Sequence, residues 1–167
     1  MGNKTRALTR AALLAGLSFV LLLLGAVLPS GRLALTACAG VLTALVLLQS
    51  GLAYAIGAFL CAGILGILLL PQKAPGILYL AFLGYYPIIK SLAERLRHRW
   101  LEWVLKLGIF NGAFLLLWMV AREFLAPGIV ISLPLLLLGA NVIFVVYDRG
   151  LSGLIHYYIV RISKQIS

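Results

Sequence analysis

"LTRAALLAGLSFVLLLLGAVLPSGR", residues 8–32, decides what kind of chain this is. Between Arg10 and Arg32 no side chain carries a charge, and the run closes on Pro29-Ser30-Gly31, residues that stop a helix. A hydrocarbon core about 30 Å thick takes roughly 20 helical residues to cross, so 8–28 reads as a membrane span. The rival reading is a removable signal peptide, because Lys4, Arg6 and Arg10 form a basic start before an apolar core. That core is longer than the usual signal segment and ends without an A-x-A-like cleavage site, which predicts a retained helix.

The pattern repeats along the chain. Of 167 residues, 63% are hydrophobic and 11% charged, a balance that excludes an ordinary water-soluble domain of this size. Further apolar runs at about 32–49, 51–71, 76–92, 102–121 and 129–147 are separated by Gln49-Ser50-Gly51, Pro71 to Gly76, the charged run 94–99, and Arg122 to Gly128. The expected fold is all-α: one polytopic membrane domain of six transmembrane helices over 1–167, with 148–167 as an amphipathic cytoplasmic tail. "APGI" occurs at 74–77 and again at 126–129. Proline suits the first turn of a helix, so the two tetrapeptides read as matching helix starts rather than as a repeat.

The net charge of +10 has to be explained at the membrane. With six spans, Lys4, Arg6, Arg10, Lys90, Arg95, Arg97, Arg99, Lys106, Arg149, Arg161 and Lys164 collect on one side, while Arg32, Lys73 and Arg122 lie on the other. Lys and Arg concentrate in cytoplasmic loops. The chain is therefore expected to be multi-pass with both termini cytoplasmic; the inner (plasma) membrane of a bacterial cell is the expected location. Basic loops beside anionic lipid account for the charge, and no nucleic-acid partner is expected.

Around the basic run, Leu92, Leu96, Trp100 and Val104 recur every four residues, with Arg95, Arg99, Glu102 and Lys106 off that stripe. This predicts an amphipathic turn at the cytoplasmic interface, with Trp100 and Trp103 at headgroup depth. The tail repeats the pattern with Leu151, Leu154, Ile155, Tyr158, Ile159 and Ile162. Both elements suit a lipid surface or a docked partner.

Polar side chains within spans must find partners or line a cavity. Tyr79, Tyr86, Asn111, Trp118 and Asn141 are the candidate substrate-binding residues. Asn111 and Asn141 both fall near mid-membrane, where they either join helices or face a ligand. Lys90 and Glu94, one turn apart, read as an exposed i,i+4 contact or as a buried pair that fixes a conformational switch. Tyr86-Pro87 predicts a kink, because proline removes a helical hydrogen bond.

Small residues predict close helix packing. Those of the second and third spans predict an intramolecular hairpin, whereas the A-x-x-x-A pair Ala11 and Ala15 on the first span is expected to contact an external partner. Other chemistry finds little support in the residues. Cys38 and Cys61 lie on separate spans without C-x-x-C spacing, His98 and His156 sit at the basic surface, and the four acids are flanked by neither a nucleophile nor a phosphate loop. No catalytic residue, metal or cofactor is expected.

"LTRAALLAGLSFVLLLLGAVLP" (8–29), with its A-x-x-x-A, and "SGLAYAIGAFLCAGILGILLL" (50–70), together with the six-span layout, resemble the substrate-binding S component of energy-coupling-factor vitamin transporters. The related rod-shape-determining small membrane proteins are similar in outline. The resemblance implies an S-component-like bundle, a transmembrane coupling subunit meeting Ala11 and Ala15, two separate ATPases and a small vitamin-like ligand bound toward the outside. Uptake of a small molecule is therefore the leading expectation. The link between the first two spans is only Pro29 to Gly31, and the polar residues of the last three spans lie from mid-membrane inward. A non-transporting scaffold of the cell-envelope machinery is the alternative, and a lipid-handling enzyme or flippase stands third.

Overall fold

In hydrocarbon every backbone N–H and C=O has to be bonded within the chain, so long apolar runs become helices. The computed structural model describes residues 2–28, 30–94, 99–124 and 133–162. Its order is α1 (Gly2–Val27), α2 (Arg32–Ser50), α3 (Leu52–Leu69), α4 (Ala74–Leu78), a π-helical turn (Tyr79–Leu83), α5 (Tyr86–Ala93), α6 (Arg99–Phe124), α7 (Leu133–Tyr157) and a second π-helical turn (Tyr158–Ile162). Among the described residues there is no strand, and six helical segments are long and apolar enough to cross a membrane. The protein is all-α.

Several boundaries differ from those expected, for identifiable reasons. α1 starts at Gly2 rather than near residue 8, so Lys4 and Arg6 are helical as well. α7 does not stop near 147 but continues to Tyr157; Gly150 and Gly153 are the weakest formers there, and an interior glycine costs only about 1 kcal/mol against alanine. The first "APGI" opens α4 with Pro75 in the first turn. The second lies outside the described residues, as do 129–132 of the expected sixth span.

The chain forms two compact units, Met1–Lys106 and Leu107–Ser167. In the first, α1 packs against both α2 and α3. One buried cluster joins Ala11 and Ala15 to Val46, Ala55, Ala58 and Ile88; a second joins Leu22, Ala26, Ala39, Ala62, Leu70 and Tyr79. Leu13, Leu17, Val20 and Leu24 point outward. Between lipid and core there is no hydrophobic preference to sort side chains, so the small residues go inside, where they let backbones approach. Gly76 shows how close: a Cβ there would sit 2.8 Å from the Gly66 carbonyl carbon.

This packing corrects the expectation for Ala11 and Ala15. Both are buried against the chain's own helices, so they offer no open face to another subunit.

Polar side chains tie the same helices together. Ser18 donates to the carbonyl oxygens of Leu14 (2.9 Å) and Ala39 (3.3 Å), linking α1 to α2. Ser50 donates to the Ala7 carbonyl at 3.2 Å, which places the end of α2 beside the start of α1. At the opposite end Arg32 donates to the Gly25 carbonyl and to the Gln72 side chain, drawing the short α1–α2 link and the α3–α4 link together.

In the second unit, α6 and α7 are joined by a reciprocal amide pair between Asn111 and Asn141, and by Phe110 stacked on Phe144 with ring centroids 4.4 Å apart.

Candidate functional site

The fourth membrane-length segment is not one helix. Pro87 has no N–H to give to residue 83, and its ring crowds that carbonyl. The sequence predicts a kink at Tyr86-Pro87; the structure spreads the disturbance backward into the π-turn Tyr79–Leu83, where Gly84 N–H bonds the Tyr79 carbonyl at 2.7 Å. A turn at Gly84-Tyr85 follows, and α5 starts afresh at Tyr86. Gly84 is required here, because a Cβ would lie 2.8 Å from both the Phe59 and Tyr79 rings.

Each half of the interrupted segment is fixed separately. Above the break, the fully buried Tyr79 hydroxyl meets Thr43 of α2 at 2.7 Å, and its ring tilts against Phe59 of α3 at 5.7 Å. Below it, Ile88 enters the cluster around Ala11 and Ala15. Tyr86 and Pro87 are buried as well.

Past the break lies an ionic centre. Lys90 is 2% exposed and contacts one oxygen of Glu94 at 3.1 Å. Lys106, also 2% exposed, reaches that same oxygen at 3.8 Å and bonds Glu102 at 2.5 Å. Its ammonium group also stands 5.8 Å from the Trp103 ring centroid. Glu94 itself is 47% exposed and terminates α5. Two buried cations therefore share a carboxylate that water reaches. Ionisable residues inside a membrane bundle mark functional positions by default.

Neither sequence reading of Lys90–Glu94 describes this centre fully, since the lysine is buried and the glutamate is not. Glu102 and Lys106 were missed as members. Their i,i+4 spacing is the available signal, but the four-residue periodicity places both on the polar side of an amphipathic stripe. The structure reverses that stripe: Lys106 points inward, while Leu92, Val104 and Trp100, the last 84% exposed, face out. Arg95 to His98 lie outside the described residues.

The candidate ligand residues are divided between the two units. Tyr79 and Tyr86 belong to the first unit, and Asn111, Trp118 and Asn141 to the second. Each asparagine Nδ2 donates once to the other's Oδ1 (3.1 and 2.9 Å) and once to the carbonyl one turn back, Leu107 (2.9 Å) or Leu137 (2.8 Å). Both donors of both amides are used, so the pair joins helices. Trp118 is half-buried on α6.

The chain matches no family model, no curated protein and no solved structure.

Proposed function

We propose that the chain is the solute-binding membrane subunit of a small-molecule uptake transporter, set in a bacterial plasma membrane with both termini cytoplasmic and energised by ATPase chains separate from it. One observation carries this reading: the fourth segment is interrupted between Tyr79 and Pro87, with buried Lys90 just beyond the interruption. Irregular backbone persists at membrane depth only where protein buries it or a cavity needs it, and broken helices border the solute site in many transporters. The crowding of Lys and Arg toward one end supports the orientation. The sequence has no G-x-x-x-x-G-K-[ST] loop, so nucleotide hydrolysis falls to partners.

A second reading, a non-transporting scaffold of the cell envelope, draws on a different observation. Asn111 and Asn141 bond each other and Tyr79 bonds Thr43, so three of the expected ligand contacts serve the bundle instead.

Purification of the tagged chain from its native membrane in mild detergent, with mass spectrometry of retained proteins and small molecules, separates the two. Recovery of ATPase subunits together with a small molecule is the expected result. Recovery of cell-wall or division proteins, with neither ATPase nor solute, would overturn the transport reading in favour of the scaffold.

A further inference from the structure

We propose that Arg6 and Arg10 hold the phosphate of an anionic phospholipid whose acyl chains lie along the outer face of α1. The occupant is a lipid rather than a transported solute, so the site is independent of whether the chain is a transporter subunit or a scaffold.

The register of α1 places the two arginines. Arg6, Arg10, Leu13, Leu17, Val20 and Leu24 recur at alternating intervals of four and three residues, the spacing of a single helix face. All six are exposed, and the four apolar members mark this as the face that lipid chains cover. The opposite line, through Ala11, Ala15, Ser18, Leu22 and Ala26, is buried in the first unit. Lys4 extends that opposite line. Because α1 is already helical from Gly2, Arg6 and Arg10 continue the lipid-facing stripe toward the headgroups.

Depth agrees with register. From Arg10 to Val27 the helix rises about 26 Å at about 1.5 Å per residue, close to the roughly 30 Å of the hydrocarbon core. Arg10 therefore stands at the edge of the hydrocarbon, and Arg6 lies about 6 Å farther out. A phosphate at that level is within reach of both side chains, and guanidinium groups grip phosphate oxygens through paired N–H donors.

Charge complementarity selects an anionic occupant. Among the described residues neither Arg6 nor Arg10 makes an ion pair or a hydrogen bond, and α1 contains no acidic residue. Like charges four residues apart weaken a helix, so this pair supports α1 only when an anion bridges it. A lipid phosphate supplies the anion while its chains occupy the stripe of Leu13 and Leu17; free phosphate makes only the first of these contacts.

The test uses the full chain in nanodiscs of phosphatidylcholine into which phosphatidylglycerol is introduced in steps, with binding read from the thermal midpoint and retained lipid counted by native mass spectrometry. The wild type is expected to retain phosphatidylglycerol in preference to phosphatidylcholine and to gain stability from it. The double variant Arg6→Gln/Arg10→Gln should weaken that response at least about ten-fold, since each basic residue at a membrane surface contributes to the attraction for anionic lipid. Lys4→Gln/Arg149→Gln removes the same charge from two other exposed positions and should leave the response within about two-fold of wild type. Equal weakening by the two double variants would reduce the effect to diffuse surface charge and overturn the site, as would a wild type that does not distinguish the two lipids. Inorganic phosphate added to pure phosphatidylcholine nanodiscs should not stabilise the chain; a midpoint shift equal to that with phosphatidylglycerol would overturn lipid as the occupant.

Discussion

Lys90 and Lys106, on different helices, meet the same carboxylate oxygen of Glu94, and in doing so they tie the end of α5 to α6. The two acids of this centre differ in what they contribute. Glu102 is mostly buried beside Lys106, whereas Glu94 is half in water.

Their substitution should differ accordingly. Glu102→Gln is expected to cost about 1.5–3 kcal/mol, the range for a hydrogen bond to a charged group. Glu94→Gln should cost less, because water reaches the Glu94 carboxylate and screens its contacts with the two lysines. Denaturation of the detergent-solubilised protein measures both, and a larger loss at Glu94 than at Glu102 would contradict the ranking.

Close backbone approach makes a second expectation. Gly76→Ala pushes a methyl group against the Gly66 backbone, and Gly84→Ala pushes one against two aromatic rings; each should destabilise by about 1–3 kcal/mol through overpacking. Gly57→Ala, with open space at its Cβ, should be neutral or stabilise by up to about 1 kcal/mol. Thermal midpoints of the three variants give the comparison.

The amide pair of the second unit is a candidate for a double-mutant cycle. Asn111→Ala and Asn141→Ala should each lower stability, and the pair should show a coupling energy of roughly 0.6–1.7 kcal/mol, as for other interhelical hydrogen bonds in membranes. Additive losses would mean that the reciprocal bonds contribute nothing jointly.

The Thr43–Tyr79 contact offers a similar test inside the first unit. Tyr79→Phe removes the hydroxyl but keeps the ring against Phe59, leaving Thr43 without that buried partner at a cost of about 1–3 kcal/mol. Thr43→Val in the same background should recover part of the loss, since an apolar pair of similar shape leaves nothing unsatisfied.

The six spans were legible in the sequence because lipid forces the issue: 8–28 or 51–71 has no stable alternative to a helix. The inward faces were not, because lipid and core are equally apolar and hydropathy cannot tell them apart. Ala11 and Ala15 were recognisable as close-packing residues, yet nothing in the spacing said that their partners were Val46, Ala55 and Ala58 of this same chain. Lys106 was misplaced for the converse reason. A lysine beside a basic loop reads as surface, and only its two carboxylate neighbours reveal that it turns inward. Pro87 announces a disturbance in the fourth segment, but not its extension back to Tyr79, nor that Gly84 lies too close to the distant Phe59 ring to carry a Cβ.

Cysteine accessibility along the interrupted segment tests the functional proposal most directly. In a background with Cys38 and Cys61 replaced by alanine, single cysteines at Leu83 and Ile89 would be challenged with a membrane-impermeant thiol reagent in native membranes, with the outward-facing Ile64 as the lipid reference. If the break borders a solute route, Leu83→Cys and Ile89→Cys should label at least ten-fold faster than Ile64→Cys. Labelling of all three at the same slow rate would contradict a water-reached site at the break and leave a sealed helical scaffold.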